Sequence, residues 1–161
     1  MQVRQLKRRG AVVVESAVIL PVLFLLVIGM CVLGPGVFCY QQVATLAREG
    51  ARYASVHGAQ YAAEQSALTK TKVLPADYAE IYNNAILPRA VAMDTNSIVF
   101  DSSSVVWPNG NSPIVANPNS TPPGAPLIAT VSVTVKYNWT PQVGFIAPVQ
   151  MQSTATVPMS Y

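Results

Sequence analysis

The apolar pattern along the chain changes period twice. From Ala11 to Leu33 it has no period: only Glu15, Ser16 and Pro21 interrupt a run of Ala, Val, Ile, Leu, Phe, Met, Gly and Cys. As a helix this run is about 34 Å long, which crosses a hydrocarbon core of about 30 Å with some tilt. It exceeds the roughly 7–15-residue apolar core of a cleaved secretory signal. Pro21 removes one backbone donor and predicts a kink, which a membrane helix tolerates. Gly34-Pro35-Gly36 predicts a stronger break where the span meets the far interface. Beyond it the period becomes 3.6. Val43, Leu46, Ala47, Gly50, Ala51 and Ala54 form one small-residue face, so helix is expected to resume from Val37 to His57. Arg48, Glu49 and Arg52 fall on the polar side as a charged collar, and Glu49 and Arg52 are spaced to pair.

Gly58 to Leu74, rich in Ala and Gln, reads as a helix and a turn. Pro75 suits the first turn of a second helix, with Asp77 and Glu80 near its positive end. Its stripe is Tyr78, Ile81, Tyr82, Ala85 and Ile86, and Pro88 bounds it. In the last third the period becomes two. One strand is expected near Ser97–Trp107. A second carries Leu127, Ala129, Val131, Val133, Val135 and Tyr137 on one face, and a third carries Val149, Met151, Ala155 and Val157. Together they predict an antiparallel meander with one face on the helices. Pro108–Pro126 holds six prolines, two glycines and four asparagines; it reads as a long exposed loop and a candidate contact surface. The fold class is therefore α+β: a long N-terminal transmembrane helix extending into a small head with a second helix and a three-stranded antiparallel sheet. The divisions are a basic leader (1–10), the span (11–33), the helix continuation (34–57) and the head (58–161).

Charge sharpens this picture. Charged residues make up 11% of the chain and apolar ones 51%, a balance that fits a membrane segment better than a soluble domain. Four of the ten Lys and Arg (Arg4, Lys7, Arg8, Arg9) precede residue 11; the rest of the chain has six against seven acids, a net charge of −1. The body thus lacks the basic footprint of a nucleic-acid-binding domain. The leader cluster reads as a cytoplasmic flank by the positive-inside rule, so the N-terminus is expected inside and the C-terminal part outside.

The candidate chemistry lies at the start of the span. Gly10 precedes Ala11, and Glu15 follows one turn further on. A carboxylate within a membrane segment is costly and usually functional; a cut after Gly10 would leave an ammonium on Ala11 for Glu15 to neutralise. Gly29, Gly34 and Gly36 offer small surfaces for close helix approach. Cys31 and Cys39 are about 12 Å apart along one helix, too far for a disulfide. His57, beside Gly58 at a helix end, suits a capping role. No metal-ligand cluster, phosphate loop or nucleophile motif appears in the sequence, so neither an enzyme, a metal nor a cofactor is expected.

Gly10-Ala11-Val12-Val13-Val14-Glu15 resembles a prepilin-peptidase site: a glycine, four apolar residues and a glutamate. Ala47-Arg48-Glu49-Gly50-Ala51-Arg52-Tyr53-Ala54 resembles the segment after the membrane helix in TadE-like pseudopilins. With Leu20-Pro21 and Tyr40-Gln41, the similarity covers residues 8–57. Ser16 stands where processed members often carry an aromatic, and Gly34-Pro35-Gly36 replaces a more regular helix. The resemblance implies a minor pilin-like subunit of the tight-adherence (Tad, type IVc) pilus machinery, in attachment and biofilm formation. Its implied partners are the inner membrane, a prepilin peptidase, other pilin and pseudopilin subunits and the assembly platform. The alternative is an unprocessed single-span protein whose head binds a periplasmic partner.

Overall fold

The computed structural model describes residues 3–111, 114–116, 126–141 and 147–160. One helix dominates. α1 runs from Val3 to Val56 without interruption, with Pro21 and Pro35 inside it; at 54 residues it is about 81 Å long. Two expectations are corrected here. The helix begins before Gly10 rather than after it, and Gly34-Pro35-Gly36 does not break it. The missing N–H of Pro35 removes a single rung from a 54-residue ladder, which carries through on either side.

α2 (Ala59–Thr69) follows Gly58. α3 (Tyr78–Ile81) opens at Asp77, whose carboxylate accepts from the Glu80 N–H at 2.8 Å. Pro75 therefore lies ahead of this helix, not in its first turn: the Asp77 cap sets the start. The chain then makes a π turn over Tyr82–Ile86 and a 3-10 turn over Leu87–Arg89 that contains Pro88. Ile81, Ala85 and Ile86 of the apolar stripe are buried, while Tyr78 is exposed.

The sheet is antiparallel and has four strands rather than three. Its centre is β5 (Thr130–Trp139), paired along its whole length with β6 (Val149–Pro158), from Thr130↔Pro158 to Trp139↔Val149. The other edge of β5 carries two short strands, β1 (Ile98–Val99, Ile98↔Tyr137) and β2 (Val105–Val106, Val105↔Val133). These replace the single strand expected over Ser97–Trp107. The interruption is the 3-10 turn Ser102–Ser104, closed by a capping box: the Asp101 carboxylate takes the Ser103 N–H at 2.8 Å, and Ser104 Oγ takes the Asp101 N–H at 3.0 Å. A short polar side chain that satisfies nearby N–H groups competes directly with the ladder. β3 (Ile114–Ala116) and β4 (Pro126–Ile128) form a separate pair. The stretch 108–126 thus includes a strand where only loop was expected; positions 112–113 and 117–125 lie outside the described residues.

The core lies between the far half of α1 and the inner face of β5. Cys39, Val43, Leu46, Ala47, Ala51 and Ala54 meet Ala129, Val131, Val133, Val135 and Tyr137, all buried. Fully buried Leu and Val side chains each contribute roughly 1.5–3 kcal/mol. Gly50 allows the close approach: a Cβ there would lie 3.1 Å from Val133 Cγ1 and 3.5 Å from Ile86 Cδ1. β5 runs antiparallel to the helix axis. Gly36 packs on Trp139 and Gly50 on Val133, so about 21 Å of helix matches about 20 Å of strand.

Candidate functional site

The sequence-predicted residues occupy two surfaces of α1. The first is the bare half. From Val12 to Pro35 the helix is exposed at almost every position, and none of its most apolar stretch is buried. Leu25, Val22 and Met30 are among its exposed side chains. This helix is long and apolar enough to cross a membrane. Gly10 sits near its start, exposed, with nothing within 4 Å of where a Cβ would stand. Ala11 follows in the same helix, and Glu15 is exposed one turn later. Residues at this spacing share a helix face with Cβ atoms about 5–6 Å apart. A terminus created at Ala11 would therefore come within reach of the Glu15 carboxylate.

Gly29 and Gly34 face open space and leave flat patches on the bare helix. Gly36 differs. The Trp139 indole covers it, with ring carbons 3.2–3.5 Å from a Cβ position. Its small surface serves the junction of helix and head within the chain.

The second surface is the collar. Arg48 and Arg52 are exposed and Glu49 is half-buried. Glu49 does not pair with Arg52; its ion partner is Arg89, at 3.5 Å. The Arg89 guanidinium also donates to the Ala85 carbonyl at 3.3 Å, so the contact holds the 3-10 turn against α1. Glu49, Arg52, Tyr53, Val56, His57 and Arg89 line a cleft of about 360 Å³. Within it the Tyr53 hydroxyl donates to Glu80 at 3.2 Å. Burial, reinforced by the neighbouring Glu80 charge, pushes the Tyr53 phenol up from its ordinary value. His57 stacks on Tyr53 with ring centroids 3.9 Å apart, and its Nδ1 lies 2.9 Å from the Tyr53 carbonyl oxygen. The ring thus finishes the end of α1. Among the described residues no cluster of His, Cys, Asp or Glu is arranged to hold a metal.

Sequence reasoning did not find Trp139, Arg89 or Glu80 as partners of α1. All three contacts are long-range in sequence, and periodicity carries no signal for them. The Asp101 turn did have a local signal, an aspartate followed by three serines.

Fold and surfaces define a class: an α+β head clamped to the far half of an apolar helix whose near half is bare, with a charged collar beside the clamp. The particular relationship follows from comparison with known proteins. The family model described as TadE-like protein matches residues 10–52, so the chain carries a TadE-like segment from Gly10 through the bare helix to Arg52 of the collar. No curated protein and no solved structure matches the chain significantly.

Proposed function

We propose that this chain is a minor pilin-like subunit of a Tad-type (type IVc) pilus system, with its N-terminus in the cytoplasm and its head in the periplasm. A prepilin peptidase cuts between Gly10 and Ala11. The processed subunit then acts structurally, packing its helix against other pilin and pseudopilin subunits at the assembly platform, in adhesion and biofilm formation. The observation that carries this reading is the TadE-like match on a helix bare over one half and clamped to a head over the other. A bare, predominantly apolar helix with small patches at Gly29 and Gly34 is suited first to lipid and then to neighbouring helices. Cutting after Gly10 removes Arg4, Lys7, Arg8 and Arg9, the charges that hold the leader at an anionic membrane surface. Glu15 neutralises the new ammonium as subunits pack.

The test separates the two positions. Gly10→Gln is expected to leave a full-length membrane-bound precursor, whereas Glu15→Ala is expected to be cut and yet recovered poorly in sheared surface fibres. N-terminal sequencing and mass of protein from membranes and fibres read both. An intact Gly10–Ala11 bond in the mature wild-type protein would favour the unprocessed single-span alternative.

A further inference from the structure

The head has no stalk, and this fixes where its lower rim lies if the bare helix spans a membrane. Glu15 to Gly36 covers 21 residues, about 32 Å of helix, against a hydrocarbon core of about 30 Å. With the Glu15 carboxylate at one boundary, Gly36 and the Trp139 indole on it come to the other. The head also overhangs the span. Trp139, Thr140 and Ala92 share a cleft of about 390 Å³ with Cys31, Val32 and Pro35, and Cys31 lies about 7 Å below Gly36 along the helix axis.

Trp139 also borders a second, open groove of about 450 Å³ between α1 and β6, lined by Leu33, Val37, Tyr40, Val149 and Met151 with Gln150 and Gln152. None of its lining residues is charged. Val37 is 58% exposed, Tyr40 57% and Val149 46%. An apolar rim with Trp and Tyr, continuous with a bare apolar helix, matches the boundary between acyl chains and headgroups, where those two residue types concentrate. Exposed apolar surface of this kind calls for a covering partner, and at this height the partner beside the helix is lipid.

We propose that the membrane-proximal rim of the head is seated in the bilayer interface, with phospholipid filling the cleft between α1 and β6 beside Trp139. The proposal rests on the reading of the bare helix as a span. It makes the head a collar resting on the membrane, so that leaving the bilayer means stripping lipid from this cleft as well as from the helix.

The chain has two tryptophans, which allows a direct test. Trp107→Phe leaves Trp139 as the single emitter. The mirror variant Trp139→Phe leaves Trp107, which follows Val106, the partner of Ser132, and so stands about 27 Å from Trp139 along β5. Each protein is reconstituted into phosphatidylethanolamine–phosphatidylglycerol vesicles containing lipid brominated either high on the acyl chain or near its end. Trp139 is expected to lose the larger part of its emission to the shallow bromines and little to the deep ones, while Trp107 keeps its emission with both. Should Trp107→Phe fail to fold, subtracting the mirror variant from wild type yields the same quantity.

Protein that survives an alkaline carbonate wash in the vesicles, but whose Trp139 ignores bromine and is quenched by aqueous acrylamide, overturns the seating and leaves the span standing. Trp139 shielded from both quenchers means that protein, such as a second copy, covers the cleft, and also overturns it. Loss of the protein in the wash removes the span and the seating together.

Discussion

The two halves of α1 are one helix with two kinds of surface. From Val12 to Pro35 large aliphatic and aromatic residues surround the axis and are left exposed. From Gly36 to Val56 one face narrows to Gly36, Cys39, Val43, Ala47, Gly50, Ala51 and Ala54 and is buried, while Arg48 and Arg52 stay in the open. The stretch apolar enough to span a membrane is unburied and lies in the first half, whereas the second half carries Gln41, Gln42, Arg48, Glu49 and Arg52. The halves differ also in how apolar character is distributed around the axis. A helix apolar all round has no preferred side and suits a uniform apolar solvent, whereas a helix with one small-residue stripe has a side on which a sheet approaches closely. Head stability should therefore depend on the second half and be indifferent to the first.

The sharpest way to break this comparison is the same substitution in both halves. Leu46 is fully buried against the sheet and Leu25 is exposed on the bare helix. Leu46→Ala is expected to lower the unfolding free energy of the head by about 2–5 kcal/mol. Leu25→Ala should leave it unchanged. Denaturant unfolding in mild detergent, followed by tryptophan emission, reads both; equal losses would mean that the two halves are not independent.

Glycine sharpens the same contrast with a smaller effect. A side chain at Gly50 meets Val133 and Ile86 at once, whereas at Gly34 it meets nothing in the chain. Gly50→Leu is expected to cost the head about 1–3 kcal/mol through overpacking. Gly34→Leu should spare the head, and any defect should show only in recovery of assembled fibres. A head melting temperature that moves equally for the two would count against Gly50 as the point of close approach.

The parts of the fold legible in the sequence are those with a period. The buried face of α1 from Val43 to Ala54 follows the 3.6-residue spacing, and β5 buries Val131, Val133, Val135 and Tyr137 by alternation. In β6, Met151, Ala155 and Val157 are half-buried and Val149 is exposed, and Leu127 falls in the separate β4. The parts that escaped depend on events without a period. Continuity through Pro35 turns on a long helix carrying through the loss of one hydrogen bond. The split of the first strand turns on one Asp101 side chain satisfying local N–H groups in place of a ladder. Glu49 joins Arg89, 40 positions away, rather than Arg52 on its own helix, because the fold brings the 3-10 turn to the collar. Of the candidate site, sequence placed Ala11 and Glu15 on one helix with Gly10 just ahead of it, where the helix already runs through Gly10, and the collar on the polar side. It did not show that Gly36 is taken up by Trp139.

The collar supplies a weaker test. The Glu49–Arg89 contact is half exposed, with the two side chains 33% and 51% accessible, so solvent screens it. Arg89→Ala is expected to cost no more than about 1 kcal/mol, and the difference from wild type should shrink as salt rises. A larger, salt-independent loss would point instead to the hydrogen bond from Arg89 to the Ala85 carbonyl.

The smallest effect concerns pH and is confined to the head. Asp94 is held below the ordinary carboxylate range chiefly by the Asn96 N–H, aided by Ser97. Asp101 is held low chiefly by the Ser103 hydroxyl, then by the Ser103 N–H. Both carboxylates lie in solvent, where water competes for the same hydrogen bonds, so each contribution is modest. The direction nevertheless follows from linkage. A carboxyl with a folded-state pKa below its unfolded value of about 3.9 favours the folded state above that value, and the advantage is lost as pH falls through the lower folded pKa. Asparagine at either position keeps an acceptor for the same turn but does not titrate. The Asp94→Asn/Asp101→Asn protein should therefore differ from wild type by a constant, small shift in melting temperature from neutral pH down to just above 4. Below that the two curves should converge as the wild-type carboxyls take up protons. Convergence already complete near pH 6, or an unchanging gap down to pH 2, would show that these two turns do not carry the acid sensitivity of the head.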